Sequence, residues 1–275
     1  MTAGVEGRRP LTVVKVGGAV VEEEAALSQL LNAFRQIPGA KVLVHGGGRS
    51  ATQLARQLGI DSRMVGGRRI TDADMLRIVT MVYGGLVNKH VVAALQALGV
   101  NAMGLTGADM DVMRAHRRPP VTQGDGTAVD YGYVGDVDAC NGELLAGLIR
   151  RGVVPVMAPL THDGQGSLLN TNADTVAAET AKALAGYFDV TLVYCFEKDG
   201  VLRNESDPDS VIPAIDEDTF RQLTAQGIVS GGMIPKIENA LAACRAGVHE
   251  VIITRADRLA DNTGTHIRGS KESIR

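Results

Sequence analysis

Two stretches, Val13-Val14-Lys15-Val16-Gly17-Gly18 and Val42-Leu43-Val44-His45-Gly46-Gly47-Gly48, decide the fold of this chain. Each is a short run of apolar residues that ends in glycines, the pattern of a buried parallel strand that opens onto a loop. Glycine loops let backbone N–H groups approach an anion closely. Because Lys15 precedes one of the loops, the pair indicates a site for phosphate or carboxylate.

Composition limits the classes of protein to which this chain can belong. Its 275 residues, 45% of them hydrophobic, suffice for one large domain or two closely fused lobes. A net charge of −3 and an aromatic content of 3% disfavour nucleic-acid binding. No run approaches the roughly 20 apolar residues that span a bilayer, and no signal-peptide pattern precedes residue 11. Three widely spaced cysteines favour a reducing compartment, so we expect a cytoplasmic protein with no membrane partner.

Strands and helices alternate along the chain. The patterns predict strands at 11–16, 41–44, 100–105, 153–158, 189–195 and 248–253, and helices at 22–36, 49–58, 72–98, 141–151, 173–185, 216–226 and 235–246. Residues 60–71 are expected to form an exposed hairpin or loop, 111–138 an antiparallel flap and 264–267 a final edge strand. We therefore predict an α/β fold, with an open, mostly parallel central sheet, helices on both faces and a small antiparallel flap. No linker interrupts the pattern, so both halves are expected to share one sheet.

The segment His45-Gly46-Gly47-Gly48 is compatible with several functions. It could bind an anion at the N-terminus of the next helix, form a lipase oxyanion loop, or simply make a tight turn. The lipase interpretation lacks its G-x-S-x-G motif. Gly46-x-Gly48-x-x-Ala51 formally matches a dinucleotide fingerprint, but no acidic residue ends a strand about 20 residues later. The chain also lacks the Walker A and H-R-D motifs of common phosphate-transfer enzymes.

Three other polar positions stand at the ends of predicted elements. Lys15 is costly to bury in an apolar strand unless it meets an anion, although it could also extend to solvent. In Asn170-Thr171-Asn172-Ala173-Asp174, Asn172 is a plausible helix cap, and Asn170 could bond a substrate group. Lys236 lies near a helix N-terminus, where the dipole repels a cation, so it reaches either a polyanion or solvent.

The order of these motifs resembles the amino acid kinase family, and within it the members that phosphorylate N-acetyl-L-glutamate. The resemblance covers about residues 11–267. It rests on Lys15-x-Gly17-Gly18, His45-Gly-Gly-Gly48, Arg69 before Ile70-Thr71, Asn170-x-Asn172-Ala-Asp174 and Gly232-Met233-x-x-Lys236. It implies that ATP, with Mg²⁺ held mainly by the nucleotide and not by protein ligands, phosphorylates the side-chain carboxylate of an N-acylated glutamate in arginine biosynthesis.

The resemblance also implies roles for individual residues. Lys15 and Lys236 would stabilise the transferred phosphoryl group, and Asp174 would hold both lysines in place. The acylated amino acid would contact Gly47, Gly48, Arg69 and Asn170. The nucleotide would contact Gly17, Gly18, Glu197, Asp199 and Gly232. Residues 1–167 would form the amino-acid lobe and 168–275 the nucleotide lobe.

Departures from the family pattern leave alternatives open. Glu197 stands where the family usually has an aspartate, in Phe196-Glu197-Lys198-Asp199-Gly200. This segment and the glycine-rich 60–68 loop resemble a subgroup in which N-succinyl-L-glutamate is the acceptor. The short segment before the first strand is similar to that of arginine-insensitive homodimers, with helix 72–97 as the expected dimer surface. Another amino acid acceptor, a non-catalytic amino-acid sensor and an NAD-dependent oxidoreductase are the competing interpretations.

Overall fold

The computed structural model describes residues 7–122, 124, 126–261 and 263–269, so Asp125 of the expected flap lies outside it. The strands are β1 (Pro10–Val16), β2 (Ala40–His45), β3 (Met64–Val65), β4 (Arg68–Arg69), β5 (Ala102–Leu105), β6 (Met113–Arg117), β7 (Val121–Thr122), β8 (Ala128–Val129), β9 (Gly135–Cys140), β10 (Val154–Met157), β11 (Leu160–His162), β12 (Leu168–Asn170), β13 (Asp189–Phe196), β14 (Ala214–Ile215), β15 (Glu250–Arg255) and β16 (Thr265–Ile267). The α-helices are α1 (Gly18–Glu22), α2 (Glu24–Gln36), α3 (Gly48–Gln57), α4 (Ala73–Val79), α5 (Asn88–Ala97), α6 (Gly142–Arg150), α7 (Ala173–Ala185), α8 (Glu217–Ala225) and α9 (Met233–Arg245).

The central sheet has eight strands in the order β14-β16-β15-β13-β1-β2-β10-β5. From β15 to β5 all neighbours are parallel, and β1 lies between β2 and β13, with Val14 opposite both Leu43 and Val193. This pairing joins strands of the N-terminal and C-terminal halves in one sheet. The predicted α/β class with a mostly parallel sheet is confirmed.

Helices cover both faces of this sheet, as predicted. Alternate residues of the central strands enter two separate apolar clusters, Val13 on one face and Val14 on the other. One cluster contains the buried sides of α6, α7, α8 and α9, and the other contains those of α2, α3, α4 and α5. Strands covered on both faces read as continuous apolar runs, which is why β1, β2 and β13 were recognisable in the sequence.

The prediction that 264–267 is an edge strand is wrong. Residues 265–267 form β16, which pairs with β15 on one side and with β14 on the other. The edge is β14, a strand of two residues that is too short to show an alternating pattern. The predicted helix 22–36 is found as α2, which begins at Glu24 because Glu23 adopts an extended conformation after α1.

The long helix predicted at 72–98 runs from Ala73 to Ala97, with a π-helical segment, Thr80–Val87, between α4 and α5. Asp72 caps it by accepting a hydrogen bond from the Met75 N–H at 2.8 Å. By length and composition this helix could cross a membrane, with a mean hydropathy of 1.4. Core helices of soluble proteins pass the same test, so the finding is weak evidence for a membrane span.

A second sheet, in the order β12-β11-β6-β9, lies beside the central one. Its antiparallel β6–β9 pair comes from the expected flap, and β7 and β8 form a further short antiparallel pair. The hairpin β3–β4 falls in the segment 60–71, but the expectation that this segment is exposed is wrong for Arg69 and Thr71, which are 8% and 0% exposed. The flap covers them: Thr71 N–H donates to Tyr131 O at 3.0 Å, and Tyr133 N–H donates to Thr71 O at 2.7 Å.

A buried polar contact joins α5 to the central sheet. His45, at the end of β2, is fully buried, and its Nδ1 lies 2.7 Å from Gly46 O. Asn88 Nδ2 lies 3.1 Å from His45 Nε2 and donates to Val156 O at 2.9 Å. Since an amide nitrogen only donates, Nε2 is the acceptor and the ring proton sits on Nδ1. Burial lowers the pKa of His45 to about 4, so the ring is neutral.

Acid should destabilise this protein through His45. Between pH 6.5 and 4 the unfolded chain binds a proton on this residue and the folded chain does not, so the free energy of unfolding falls as the pH falls. The free energy of unfolding can be measured with urea at pH 7.5 and pH 5. Between these pH values it should fall by about 2 kcal/mol more in the wild type than in His45→Asn, whose side chain cannot titrate. His90→Asn, at an exposed position, should follow the wild type. Equal losses in the wild type and His45→Asn would contradict the assignment.

Candidate active site

The two glycine loops touch at the carboxyl ends of β1 and β2. Gly46 N–H donates to Val16 O at 3.0 Å, and a Cβ on Gly46 would lie 2.8 Å from Gly18 N. A Cβ on Gly18 would lie 3.3 Å from the amide nitrogens of both Gly47 and Gly48. A side chain at Gly46 would therefore force the loops apart, and one at Gly18 would crowd the two amides.

The start of α3 leaves backbone donors available. Ser50 N–H, in the first turn, donates to Glu22 Oε1 at 2.6 Å. Within the described ranges, the amides of Gly48 and Arg49 have no acceptor in the chain. Free N–H groups at the positive end of a ten-residue helix attract an anion. The geometry therefore suits the anion-binding interpretation of this loop.

A small cavity of about 180 Å³ opens beside the second glycine loop. Its wall includes all four residues expected to contact the amino acid, namely Gly47, Gly48, Arg69 and Asn170. The hairpin β3–β4, the first residue of α7 and the residues Tyr83, Val134 and Pro159 also contribute to the wall. Residues that lie more than 120 positions apart in the chain are thus brought together around one space.

Arg69 is held rigidly in this wall. Its Nη2 donates to Gly48 O at 2.9 Å, and its Nη1 donates to Ser62 Oγ. The residue is 8% exposed, and no carboxylate in the described part of the chain forms an ion pair with it. A buried guanidinium without an acidic partner has its charge available for a ligand carboxylate.

Arg68, which sequence reasoning did not single out, also lines the small cavity. Burial, together with the nearby Arg118 guanidinium, lowers its pKa. No acidic residue is among those that line the cavity, so its charge is strongly positive. An anionic ligand would relieve this imbalance.

The side chains of Asn170 and Asn172 form hydrogen bonds with different parts of the structure. Asn170 Nδ2 donates to Thr71 Oγ1 at 2.9 Å, and Thr71 Oγ1 donates to Arg69 O at 2.9 Å, so these hydrogen bonds connect β12 to the arginine. Asn172 accepts hydrogen bonds from the N–H groups of Asp174 and Thr175, at 2.8 and 3.2 Å. The predicted helix cap is confirmed.

A larger cavity of about 650 Å³ adjoins the small one. Gly48, Met64 and Arg69 line both cavities. Of the residues expected to contact a nucleotide, Gly17, Gly18 and Glu197 line the larger cavity, together with Lys236. A spacious cavity thus opens directly onto a small cationic one.

The other two residues expected at the nucleotide do not line this cavity. Gly232 lies just before α9, and Asp199 is paired with Arg255 at 3.2 Å and with Arg258 at 3.9 Å. Glu197 is highly exposed, and its carboxylate lies 3.5 Å from Arg49 Nη2.

Lys15 lies near residues of both cavities, although it is not among the residues that line either one. Its Nζ is 2.8 Å from Asp174 Oδ1, in an ion pair whose angles fall outside hydrogen-bond geometry. Asp174 follows Ala173 of the small cavity, and the Phe196 ring of the larger cavity lies 5.2 Å from the same nitrogen. The ammonium group therefore lies between a carboxylate next to the small cavity and an aromatic ring of the larger one.

The two lysines approach one aromatic ring. Lys236 Nζ lies 4.1 Å from the centroid of the Phe196 ring, and Lys15 Nζ lies 5.2 Å from the same centroid. Both ammonium groups therefore lie close to one ring. Asp174 pairs with Lys15, but no contact joins it to Lys236 in the described structure. The expected tie of both lysines to Asp174 thus stays a prediction. Sequence reasoning missed Phe196, whose one signal was an aromatic residue at a central strand's carboxyl end.

Comparisons with known proteins agree with this geometry. Residues 10–255 match the model of the amino acid kinase family. The chain is 66% identical over 261 residues to a protein named acetylglutamate kinase from Bacteroides thetaiotaomicron, an alignment that spans 95% of this chain and 99% of that one. A similarly named protein from Methanopyrus kandleri is 40% identical over 94% of this chain and all of its own length.

A solved structure, smu.665 from Streptococcus mutans, superposes with a TM-score of 0.72 at 30% identity and covers 94% of this chain and 98% of its own. The family model spans the central sheet from β1 to β15 and every residue that lines the two cavities. The chain therefore belongs to the amino acid kinase family.

Proposed function

We propose that this protein transfers the γ-phosphoryl group of ATP to the side-chain carboxylate of N-acetyl-L-glutamate, giving an acyl phosphate for arginine biosynthesis. The observation that carries the proposal is the junction at Gly48 and Arg69 of a small cationic cavity with a larger one, with the Lys15–Asp174 pair close to residues of both. Relatives named acetylglutamate kinase, at up to 66% identity in the alignments above, support the choice of acceptor.

The small cavity is the proposed site of the acceptor. Arg69 binds the α-carboxylate, Asn170 contacts the acylated amino acid, and the amides of Gly47 and Gly48 face the reacting carboxylate. A carboxylate with a pKa near 4 is already ionised at neutral pH, so no general base is required. Catalysis then reduces to alignment of the two reactants and neutralisation of charge on the phosphoryl oxygens.

The larger cavity is the proposed site of ATP. Residues 1–167 supply most of the wall of the acceptor cavity, whereas both halves of the chain line the larger one. We propose 168–275 as the nucleotide lobe because it supplies Phe196, Glu197 and Lys236 to that wall. Gly17 and Gly18 approach the phosphates, Lys15 and Lys236 neutralise the transferred group, and Glu197, Asp199 and Gly232 remain candidate nucleotide contacts. In the described part of the chain, no group of three or more His, Cys, Asp or Glu could hold a metal ion. This donor set fits Mg²⁺ only as an ion that enters with the phosphates and supplies further positive charge. We place the enzyme in the cytoplasm.

Removal of either lysine should mainly reduce turnover. Lys15→Ala and Lys236→Ala should each lower kcat by about 10²–10⁴-fold, since each removes a preorganised charge from the transferred group. The measurement is hydroxamate formation with N-acetyl-L-glutamate and MgATP. Lys182→Ala, whose lysine pairs with Glu179 outside both cavities, should be unaffected. Near-normal turnover of Lys15→Ala would refute its role, and wild-type protein that binds both ligands without turnover would favour the amino-acid sensor.

The position of Arg68 favours a second candidate acceptor, N-succinyl-L-glutamate, whose acyl group carries an additional carboxylate. Arg69→Ala should raise KM about 10- to 100-fold for either acceptor, the usual effect of losing a charged hydrogen bond. Arg68→Ala should do so only for the succinyl compound. Parallel rate measurements with both acceptors decide between them. If Arg69→Ala leaves both KM values unchanged, the small cavity does not bind the acceptor.

We also propose that the enzyme is a homodimer that associates through helix Ala73–Ala97. Met81 and Leu86 of its π-helical segment are 52% and 67% exposed, and Met103 of the edge strand β5 is 41% exposed. Burial of such side chains against a second copy stabilises an assembly. Leu86→Glu should therefore yield monomers in light scattering, whereas Leu58→Glu, at another exposed leucine outside this helix, should not. A wild-type monomer at micromolar concentration would overturn this surface.

A further inference from the structure

Lys236 lacks a carboxylate partner in the described part of the chain, although it lies in the first turns of α9, where the helix dipole repels a cation. Instead, its Nζ lies 4.1 Å from the centroid of the Phe196 ring. The face of an aromatic ring carries negative charge and attracts a cation within about 6 Å of the centroid. The ring therefore acts as the partner of this lysine.

Phe196 faces Lys15 as well, at 5.2 Å, so one ring serves both ammonium groups. The ring is itself held in place. It stacks on Tyr194, with centroids 5.9 Å apart and an interplanar angle of 17°, and the Tyr194 hydroxyl donates to Asp174 O at 3.2 Å. Tyr194 lies directly opposite Lys15 in the pairing of β13 with β1. Phe196, Tyr194, Asp174 and Lys15 thus form one connected group at the centre of the sheet.

We propose that Phe196 is a positioning residue, which holds Lys236 and helps to hold Lys15 in the geometry that phosphoryl transfer requires. This inference rests on the function proposed above. A carboxylate at this position would also hold Lys236, but it would compete with the phosphate for the ammonium group and repel the incoming nucleotide. A neutral ring orients the cation and leaves its whole charge for the transferred group.

The alternative is that Phe196 only fills space in the wall of the larger cavity. The two roles predict different effects on kcat when the electron density on the ring face is changed. Fluorine withdraws electron density from the ring face with little change of shape, so it weakens a cation–π contact and leaves packing nearly intact. A series of fluorinated phenylalanines at position 196 therefore separates them.

The experiment incorporates mono-, di- and trifluorophenylalanine at position 196 of the full chain and compares each with Phe196→Tyr and Phe196→Leu. We expect kcat to fall stepwise with fluorine number, reaching about 5- to 30-fold below wild type for the trifluoro ring and Phe196→Leu. Phe196→Tyr should stay within about twofold, because its ring face is similar, and the KM values should change little. Trifluorophenylalanine at Phe188, a buried core position with no cation on its ring in the described structure, is the matched control and should leave kcat unchanged.

Two outcomes overturn the proposal. One is a wild-type kcat for the trifluoro ring, whatever Phe196→Leu does, because that identifies a packing role. The other is an equal loss for every substitution at this position, tyrosine included, because that shows no dependence on ring electrons.

A second measurement does not depend on catalysis. The chain has seven lysines, so ¹³Cε-lysine labelling gives a simple spectrum in which Lys236→Arg assigns the signal of interest. Its Hε resonances should be shifted upfield by the Phe196 ring current, and Phe196→Leu should abolish the shift. If the shift is present but the wild type phosphorylates no acylated glutamate, the proposed function fails while the contact stands. If the wild type is active and the shift is absent, the role of Phe196 fails instead.

Discussion

The pairing of a buried lysine with an aspartate from the other half of the chain is the interaction on which the site depends. Lys15 lies in a central strand and is only about a tenth exposed, an arrangement that would cost several kcal/mol without an opposite charge. Asp174 supplies that charge at 2.8 Å from the start of α7. The pair therefore fixes where α7 begins relative to β1, and with it the part of the small cavity's wall that Asn172 and Ala173 form.

Charge is distributed unevenly around this pair. The small cavity presents Arg68 and Arg69 with no acidic residue among those lining it, and the adjoining larger cavity presents Lys236 on a neutral ring. Because like charges repel one another, two arginines in one small cavity without a lining acid indicate a site for an anion. Arg69 is rigid because Gly48 and Ser62 accept its hydrogen bonds, so its position is set before any ligand arrives. Preorganisation of this kind lowers the cost of binding.

Backbone contact is the second constraint. Gly46 allows two loops to touch in a way that a Cβ at its position would prevent, and a Cβ at Gly18 would make the contact tight. The contact places the free amides at the start of α3 beside the first glycine loop, at the edge of the sheet where parallel strands end. Ligands of open α/β sheets bind at this edge because it collects helix N-termini and loop amides from several strands.

Many of the strands and helices were predictable from the sequence, because their formation depends on residues that are close together in the chain. The apolar runs of β1, β2 and β13, the amphipathic helices and the cap at Asn172 depend on neighbouring residues. The order of the motifs identified the family and four of the residues that line the small cavity, Gly47, Gly48, Arg69 and Asn170. What the sequence by itself determined was the succession of elements and the chemical groups at their ends. The tertiary structure alone decided that Phe196 faces both lysines, that Arg68 lines a cavity and that the two-residue β14 covers the edge of β16. The physical reason is that a side chain's partners come from distant parts of the chain. The hydrophobic periodicity of a segment predicts its secondary structure but not the elements against which it packs.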